Sequence, residues 1–131
     1  MAAVRPLDPG PARRPGEVLL DVRDLVVIRG TRRILEVDSL EIRAGQTLAV
    51  VGPNGPGKST LLLSLARLVR PDAGVVRFAG RPLGPGDDLA YRRRIGLVLP
   101  APLLLSASVF DNVAAGLRFR RVDAPEIRRR V

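Results

Sequence analysis

The 131-residue sequence contains no cysteine, no histidine and no tryptophan. Without cysteine there is no disulfide framework and no thiolate metal site. Without histidine, neither an imidazole general base nor an imidazole metal ligand is available. Aromatic side chains are scarce, three Phe and one Tyr, and they form no base-stacking pattern. No apolar run approaches the roughly 18 residues of a membrane span, and the N-terminus lacks the unbroken apolar core of a secretory signal. The sequence therefore predicts a non-secreted protein without its own membrane span. Lysine is reduced to one residue, Lys58, among 22 basic side chains.

What is present suits one domain with a real core, since 46% of the residues are hydrophobic. The formal charge is +9. It comes in short groups, Arg13-Arg14, Arg32-Arg33, Arg92-Arg93-Arg94 and Arg128-Arg129-Arg130, rather than in one stripe. Such groups read as solvated faces or as a docking patch for an acidic partner, and no specific nucleic-acid binding is expected.

One stretch carries chemistry. Gly52-Pro53-Asn54-Gly55-Pro56-Gly57-Lys58-Ser59-Thr60 fits the pattern Gly, four residues, Gly, Lys, then Ser or Thr, which is that of a phosphate-binding loop. An apolar strand-like run, residues 46–51, leads in, and a helix-like run, residues 59–68, leads out. Many backbone N–H donors must converge on a polyphosphate, and Gly52, Gly55 and Gly57 let the backbone come close. The following helix adds unpaired N–H groups and the positive end of its dipole. Lys58 then reaches the outer phosphates, and the Ser59 hydroxyl is offered to a magnesium ion. That the one lysine stands here fits the need for a compact ammonium on a flexible stem rather than a planar guanidinium.

Around this loop the chain falls into order. Residues 1–16 hold Pro6, Pro9, Pro11 and Pro15 and are expected to form a disordered leader. Residues 17–131 form the folded part. Runs 18–22 and 25–28, a turn at Gly30-Thr31 and the alternating run 34–42 predict antiparallel strands. Residues 48–51, without alternation, predict a central strand covered on both faces. The helix after the loop is expected to bury Leu61, Leu62, Leu65, Leu68 and Val69 and to end at Pro71-Asp72-Ala73-Gly74. A strand pair about Gly80, a helical turn over 87–94 and a strand over 95–99 follow, before Pro100 and Pro102 break the pattern. Ser108 is placed to cap a helix over Val109, Val113, Ala114 and Leu117, and Pro125 suits the first turn of a last helix. That helix is still open at Val131, which suggests truncation.

In this order the segments resemble the nucleotide-binding domain of ABC transporters. The resemblance is carried by residues 25–40, the loop 52–60 with its helix to 70, the turn 71–74 with the strand after it, the run Arg92-Arg93-Arg94-Ile95-Gly96-Leu97-Val98, and Ser108-Val109-Phe110-Asp111-Asn112-Val113. It covers about residues 18 to 131. It implies an α/β fold, a P-loop NTPase core of ABC type with an antiparallel β subdomain. The core would run to about residue 99 and the start of a helical subdomain from about 100 to 131. The implied ligands are ATP and Mg2+. The implied partners are a membrane-embedded permease subunit that moves a solute and a second ATP-binding subunit, on the cytoplasmic, inner face of the cell membrane. Residues 35–40 and the short linkers look most like importer subunits for small oxyanions.

Departures from the family are equally specific. Pro100 stands where a glutamine usually follows the apolar strand. Arg29 stands where an aromatic residue often stacks on adenine; its guanidinium plane can stack at about 0.5 to 1 kcal/mol, or it is a solvated turn residue. Pro56 removes one N–H from the loop and fixes φ near −65°. The signature loop would need adjacent glycines, and the sequence has no Gly-Gly pair; nor does it contain an apolar run ending in Asp-Glu, or the switch histidine. Nucleotide binding without efficient hydrolysis is therefore the expectation for these residues, and no catalytic residue is assigned. A different P-loop enzyme such as a kinase, or a degenerate binding protein, are the alternatives.

Overall fold

The computed structural model describes residues 14–101 and 104–131. The proline-rich leader expected over 1–16 lies almost entirely outside the described residues, as does Pro102. The chain divides into two compact units, up to Leu97 and from Val98 to Val131.

The first unit is built on a hairpin of two long strands, β1 (Val18–Arg29) and β2 (Arg32–Arg43). The helix α1 (Pro56–Leu65), the strands β3 (Ala73–Phe78) and β4 (Arg81–Pro82), and the short helix α2 (Asp88–Arg92) follow. The sheet is antiparallel throughout, in the order β2-β1-β3-β4.

The two β-like runs at 18–22 and 25–28 are one continuous strand with a slip in its alternation. Val22 faces the core on one side of the slip and Leu25 and Val27 on the other, all three at 0% exposure, so the parity of the buried positions changes from even to odd. An extra residue must be absorbed between them, and Asp24 absorbs it with φ 49°. Opposite the bulge stands Gly74, with φ 93°, where an added Cβ would come within 2.6 Å of the Arg23 carbonyl oxygen and closer still to that of Asp24. Only glycine satisfies both the dihedral and the approach.

Helix α1 covers the apolar face of this sheet. Leu61 and Leu65 join Val22, Leu25, Val76, Phe78, Leu83 and Tyr91 in one core, where each fully buried large side chain contributes about 1.5–3 kcal/mol. Phe78 and Tyr91 meet edge to face, with ring centroids 5.2 Å apart. The expected burial of Leu62 and Leu68 is not found; they are about half exposed, and Val69 is only partly covered. Helix α1 ends at Leu65, so Leu68 and Val69 no longer follow its apolar stripe.

The far end of α1 closes in a specific way. The Leu68 N–H donates to the Leu63 carbonyl and the Arg67 N–H to that of Ser64, a two-bond C-terminal cap that places Arg67 in the left-handed region with φ 56°. Helix α2 takes the carbonyls that remain. The buried Tyr91 hydroxyl donates to the Leu65 carbonyl at 2.8 Å, and Arg92 donates to that of Arg67 at 2.9 Å. The Arg67 side chain is itself tied to Asp88 at 2.8 Å.

The opposite face of the sheet is charged. Arg23 bonds Asp21 at 2.6 Å and Glu41 at 2.8 Å, Arg43 joins Glu41 at 2.7 Å, and Arg77 reaches Asp21 at 3.3 Å. These partly exposed pairs, worth about 0–1 kcal/mol each, explain a solvated face better than a core.

Two expected strands do not form. Residues 46–51 and 95–99 have no strand pairing. Leu48, Val50 and Leu99 are exposed, and Val51 and Val98 are 90% and 92% exposed. The residue types are strand-like, but a strand exists only through a neighbour's N–H and C=O groups. Among the described residues, no neighbour is offered.

The second unit holds α3 (Val109–Phe119) and α4 (Ala124–Arg130). Ser108 caps α3 as expected, accepting from the Asp111 N–H at 3.1 Å. The Asn112 amide clasps the lead-in segment, accepting from the Leu105 N–H at 2.7 Å and donating to its carbonyl at 3.1 Å. Of the apolar face expected for α3, only Ala114 is buried; Val113 and Val109 are 61% and 82% exposed. Two short helices have too little apolar surface to cover each other.

Candidate functional site

The loop 52–60 lies in the first unit and ends in the first turn of α1. The helix begins three residues earlier than the sequence suggests, at Pro56, with Gly55 as its cap in extended geometry (φ 172°, ψ 171°). Proline causes both features. Its fixed φ suits the first helical position, and its ring drives the preceding residue out of the helical region. The N–H groups that open α1 receive no side-chain cap, and no acidic residue stands in the first turn. Donors from Gly57 onward are thus left for an external anion.

Lys58 is folded back over the loop. Its Nζ donates to the Gly52 carbonyl at 2.8 Å and to the Pro53 carbonyl at 2.6 Å. The ammonium therefore holds the two ends of the loop together, and Nζ keeps a third N–H. Gly52, Pro53, Asn54, Gly55 and Pro56 are exposed, Gly57 and Lys58 half-buried, Ser59 exposed and Thr60 buried. These nine consecutive residues thus form one open turn leading into the helix, with Thr60 buried at its end.

Ser59 presents an exposed hydroxyl on this turn, a single hard oxygen of the kind that suits magnesium. Among the described residues, no group of three or more acidic side chains forms a metal site. One hydroxyl would not hold a magnesium ion by itself, so these residues fit the ion only together with an anion that would bring further oxygens.

Arg29 stands at the end of β1, exposed, and donates to the carbonyl of its neighbour Ile28 at 2.9 Å. Arg32, which the sequence presents only as half of a basic pair, stands next to it. Arg32 pairs directly across the hairpin from Arg29, a position set by strand register, which the sequence signals only through the two-residue turn at Gly30-Thr31. Pro100 belongs to the second unit.

Comparison with known proteins identifies the family. The ABC transporter family model matches residues 35–131. The chain is 49% identical over 104 residues to the hemin import ATP-binding protein HmuV of Streptomyces coelicolor, covering 78% of this chain and 36% of that protein. It is likewise 49% identical over 94 residues to the molybdenum import ATP-binding protein ModC of Mycobacterium tuberculosis, covering 68% of this chain and 25% of the relative. Among solved structures, cbiO1 of Clostridium perfringens, part of the ABC transporter complex cbiONQ, superposes with a TM-score of 0.74 at 29% identity, over 87% of this chain and 47% of that one. The chain thus spans about a third or less of the length of these curated relatives. Its phosphate loop, its antiparallel sheet with α1 packed on it, and these matches together show that the chain belongs to the ABC transporter family, on the ATP-binding side.

Proposed function

We propose that residues 52–60 bind ATP with magnesium, and that the chain serves as an ATP-binding subunit, or a portion of one, driving solute import. The observation that carries this reading is Lys58: the only lysine of the sequence lies across the loop, on the carbonyls of Gly52 and Pro53, beside an uncapped helix start. A positive helix end and an ammonium converge there without an acidic neighbour in the first turn, which is the electrostatic requirement of a polyphosphate. Ser59 would offer its hydroxyl to the magnesium ion, whose charge would offset that of the phosphates.

The relatives support the wider role. Two are import ATP-binding proteins and a third is part of a transporter complex. By that likeness the partners are a membrane-embedded permease and a second ATP-binding subunit, met at the cytoplasmic face of the membrane. Among the described residues, no helix is long and apolar enough to cross a membrane. Residues from about 100 to 131 correspond in this reading to the start of a helical subdomain. Phosphoryl transfer to water also needs a group that orients the water. The 131 residues hold neither adjacent glycines nor an apolar run ending in Asp-Glu, so by themselves they bind ATP without efficient turnover.

Capture of radiolabelled ATP by the wild-type chain and by Lys58→Ala tests the site. Retention by the wild type and its loss in the variant is the expected result, and equal retention removes the claim.

A further inference from the structure

We infer that Asn54 is a self-modifying site: the Gly55 nitrogen attacks its side-chain amide, the residue becomes aspartate or isoaspartate, and the loop is disarmed as an anion binder. The chemistry stands on these residues alone. Its effect on ligand binding rests on the reading of residues 52–60 as a triphosphate site.

The chain has two asparagines, Asn54 and Asn112, and their surroundings are opposite. Asn54 is exposed, and so is Gly55, which follows it. Among the described residues, neither the Asn54 amide nor the Gly55 N–H makes a hydrogen bond. Pro56 accounts for the second point. Its ring holds Gly55 extended (φ 172°, ψ 171°) and outside the ladder of α1, so the helix does not claim that N–H. The missing Cβ leaves the nitrogen open to approach.

Asn112 lies in α3 and is followed by the β-branched Val113. Its amide accepts from the Leu105 N–H at 2.7 Å and donates to the carbonyls of Leu105, Ala107 and Ser108 at 3.1, 3.2 and 3.0 Å. An amide held in this way does not turn toward the nitrogen of its neighbour. Asparagine is a thermolabile residue, and here only one of the two is left free to react.

The steps balance with water as the sole co-reactant. The Gly55 N–H gives its proton to hydroxide, and the nitrogen forms a bond to Asn54 Cγ. The Cγ–Nδ2 bond breaks, ammonia leaves with a proton from water, and a five-membered imide remains. Water then adds to one of the two ring carbonyls. Opening at Cγ gives aspartate. Opening at the main-chain carbonyl gives isoaspartate, whose backbone runs through Cγ and is longer by one methylene.

Either product works against an anion. Lys58 is the only charged residue among 52–60, and a carboxylate at position 54 cancels its formal charge. That carboxylate repels an incoming polyphosphate, and the longer main chain of isoaspartate spreads the N–H groups that would converge on it. A bound polyphosphate would in turn hold the loop closed to the reaction.

Ageing the full chain in mildly alkaline buffer, with tryptic digestion and mass spectrometry at intervals, tests this. Trypsin separates the two asparagines into residues 44–58 and 95–118. Residue 54 should gain about one dalton, as an amide becomes an acid. Its rate should fall within about tenfold of that of a synthetic peptide of residues 44–58, because no bond of the fold restrains it. Asn112 should stay unchanged over the same period. Gly55→Ala, whose Cβ would meet nothing within 4 Å, should slow the conversion by about tenfold or more. Asn54→Asp should bind Mg-ATP at least about tenfold more weakly than the wild type. Mg-ATP at about ten times its Kd should slow the conversion of the wild type about tenfold, by reducing the free loop. An Asn54 that stays intact while the peptide converts, or conversion of Asn112 at the same rate, would overturn the inference. Conversion at Asn54 with undiminished binding by Asn54→Asp would overturn the disarming. A wild type that binds no Mg-ATP removes the triphosphate site and the disarming with it, while the gain at residue 54 still decides the chemistry.

Discussion

Replacing Pro56 by alanine should push ligand affinity and stability in opposite directions. Pro56 is the first residue of α1 and follows an extended Gly55. In the free chain proline suits that place, because the first N–H of a helix has no intrahelical partner and nothing is lost by its absence. Its ring also restricts the unfolded chain, which stabilises the fold by about 0.4–1 kcal/mol. In the complex the balance reverses. The missing N–H is one donor fewer for the phosphates, a loss of about 1–3 kcal/mol where the donor would have met an oxygen. Pro56→Ala should therefore tighten ATP binding by about ten- to a hundredfold and lower the Tm of the ligand-free chain by about 1–5 °C. The grip of Lys58 on the Gly52 and Pro53 carbonyls does not involve residue 56, so the cradle survives the change. Titration calorimetry with Mg-ATP and a thermal melt without ligand read the two effects separately. Unchanged or weaker affinity refutes the donor argument, and an unchanged or higher Tm refutes the stiffening argument.

Two further predictions concern the scaffold. Gly74→Ala puts a Cβ against the Arg23 and Asp24 carbonyls at a φ of 93°, and should destabilise the first unit by about 2–4 kcal/mol; a denaturation midpoint equal to the wild type's would show that the bulge at Asp24 yields instead. Tyr91, the only tyrosine, has its pKa pushed up to about 12, chiefly by burial, with Arg67 partly opposing. Its folded-state value is raised, so its contribution is fully present below the unfolded value near pH 10 and is lost as pH climbs toward 12, at most about 2–3 kcal/mol. Phenolate absorbance of the native chain should therefore rise well above pH 10, and an ordinary midpoint at 10 would mean that Tyr91 is not enclosed as described.

The loop was legible because its chemistry is local: nine consecutive residues specify the turn, the close backbone and the cation. Strands β1 and β2 were legible from their alternation, although the joint between residues 18–22 and 25–28 was not. A bulge is visible only when the buried side of both halves is known, and that depends on α1. Residues 48–51 and 95–99 show the opposite case. Their apolar composition is that of buried strands, yet strand identity is a property of a pair, and one sequence segment cannot reveal whether its partner is at hand. Arg29 was singled out by the family resemblance, and the structure shows it exposed at the end of β1. That Arg32 faces it was not legible, because the pairing is a matter of strand register.

The closure of α1 by α2 has a consequence for when the anion site comes into being. A ten-residue helix is too short to persist alone in water, and this one has no acidic residue at its start and no basic residue in its last turn to hold it. Its carbonyl end is secured by Asp88 through Arg67, by Tyr91 and by Arg92, partners separated by 21 to 26 residues in sequence. During synthesis the phosphate loop therefore leaves the ribosome well before the groups that steady its helix. The helix that carries the proposed cradle is therefore steadied from its far end, and only once the chain has been made through Arg92.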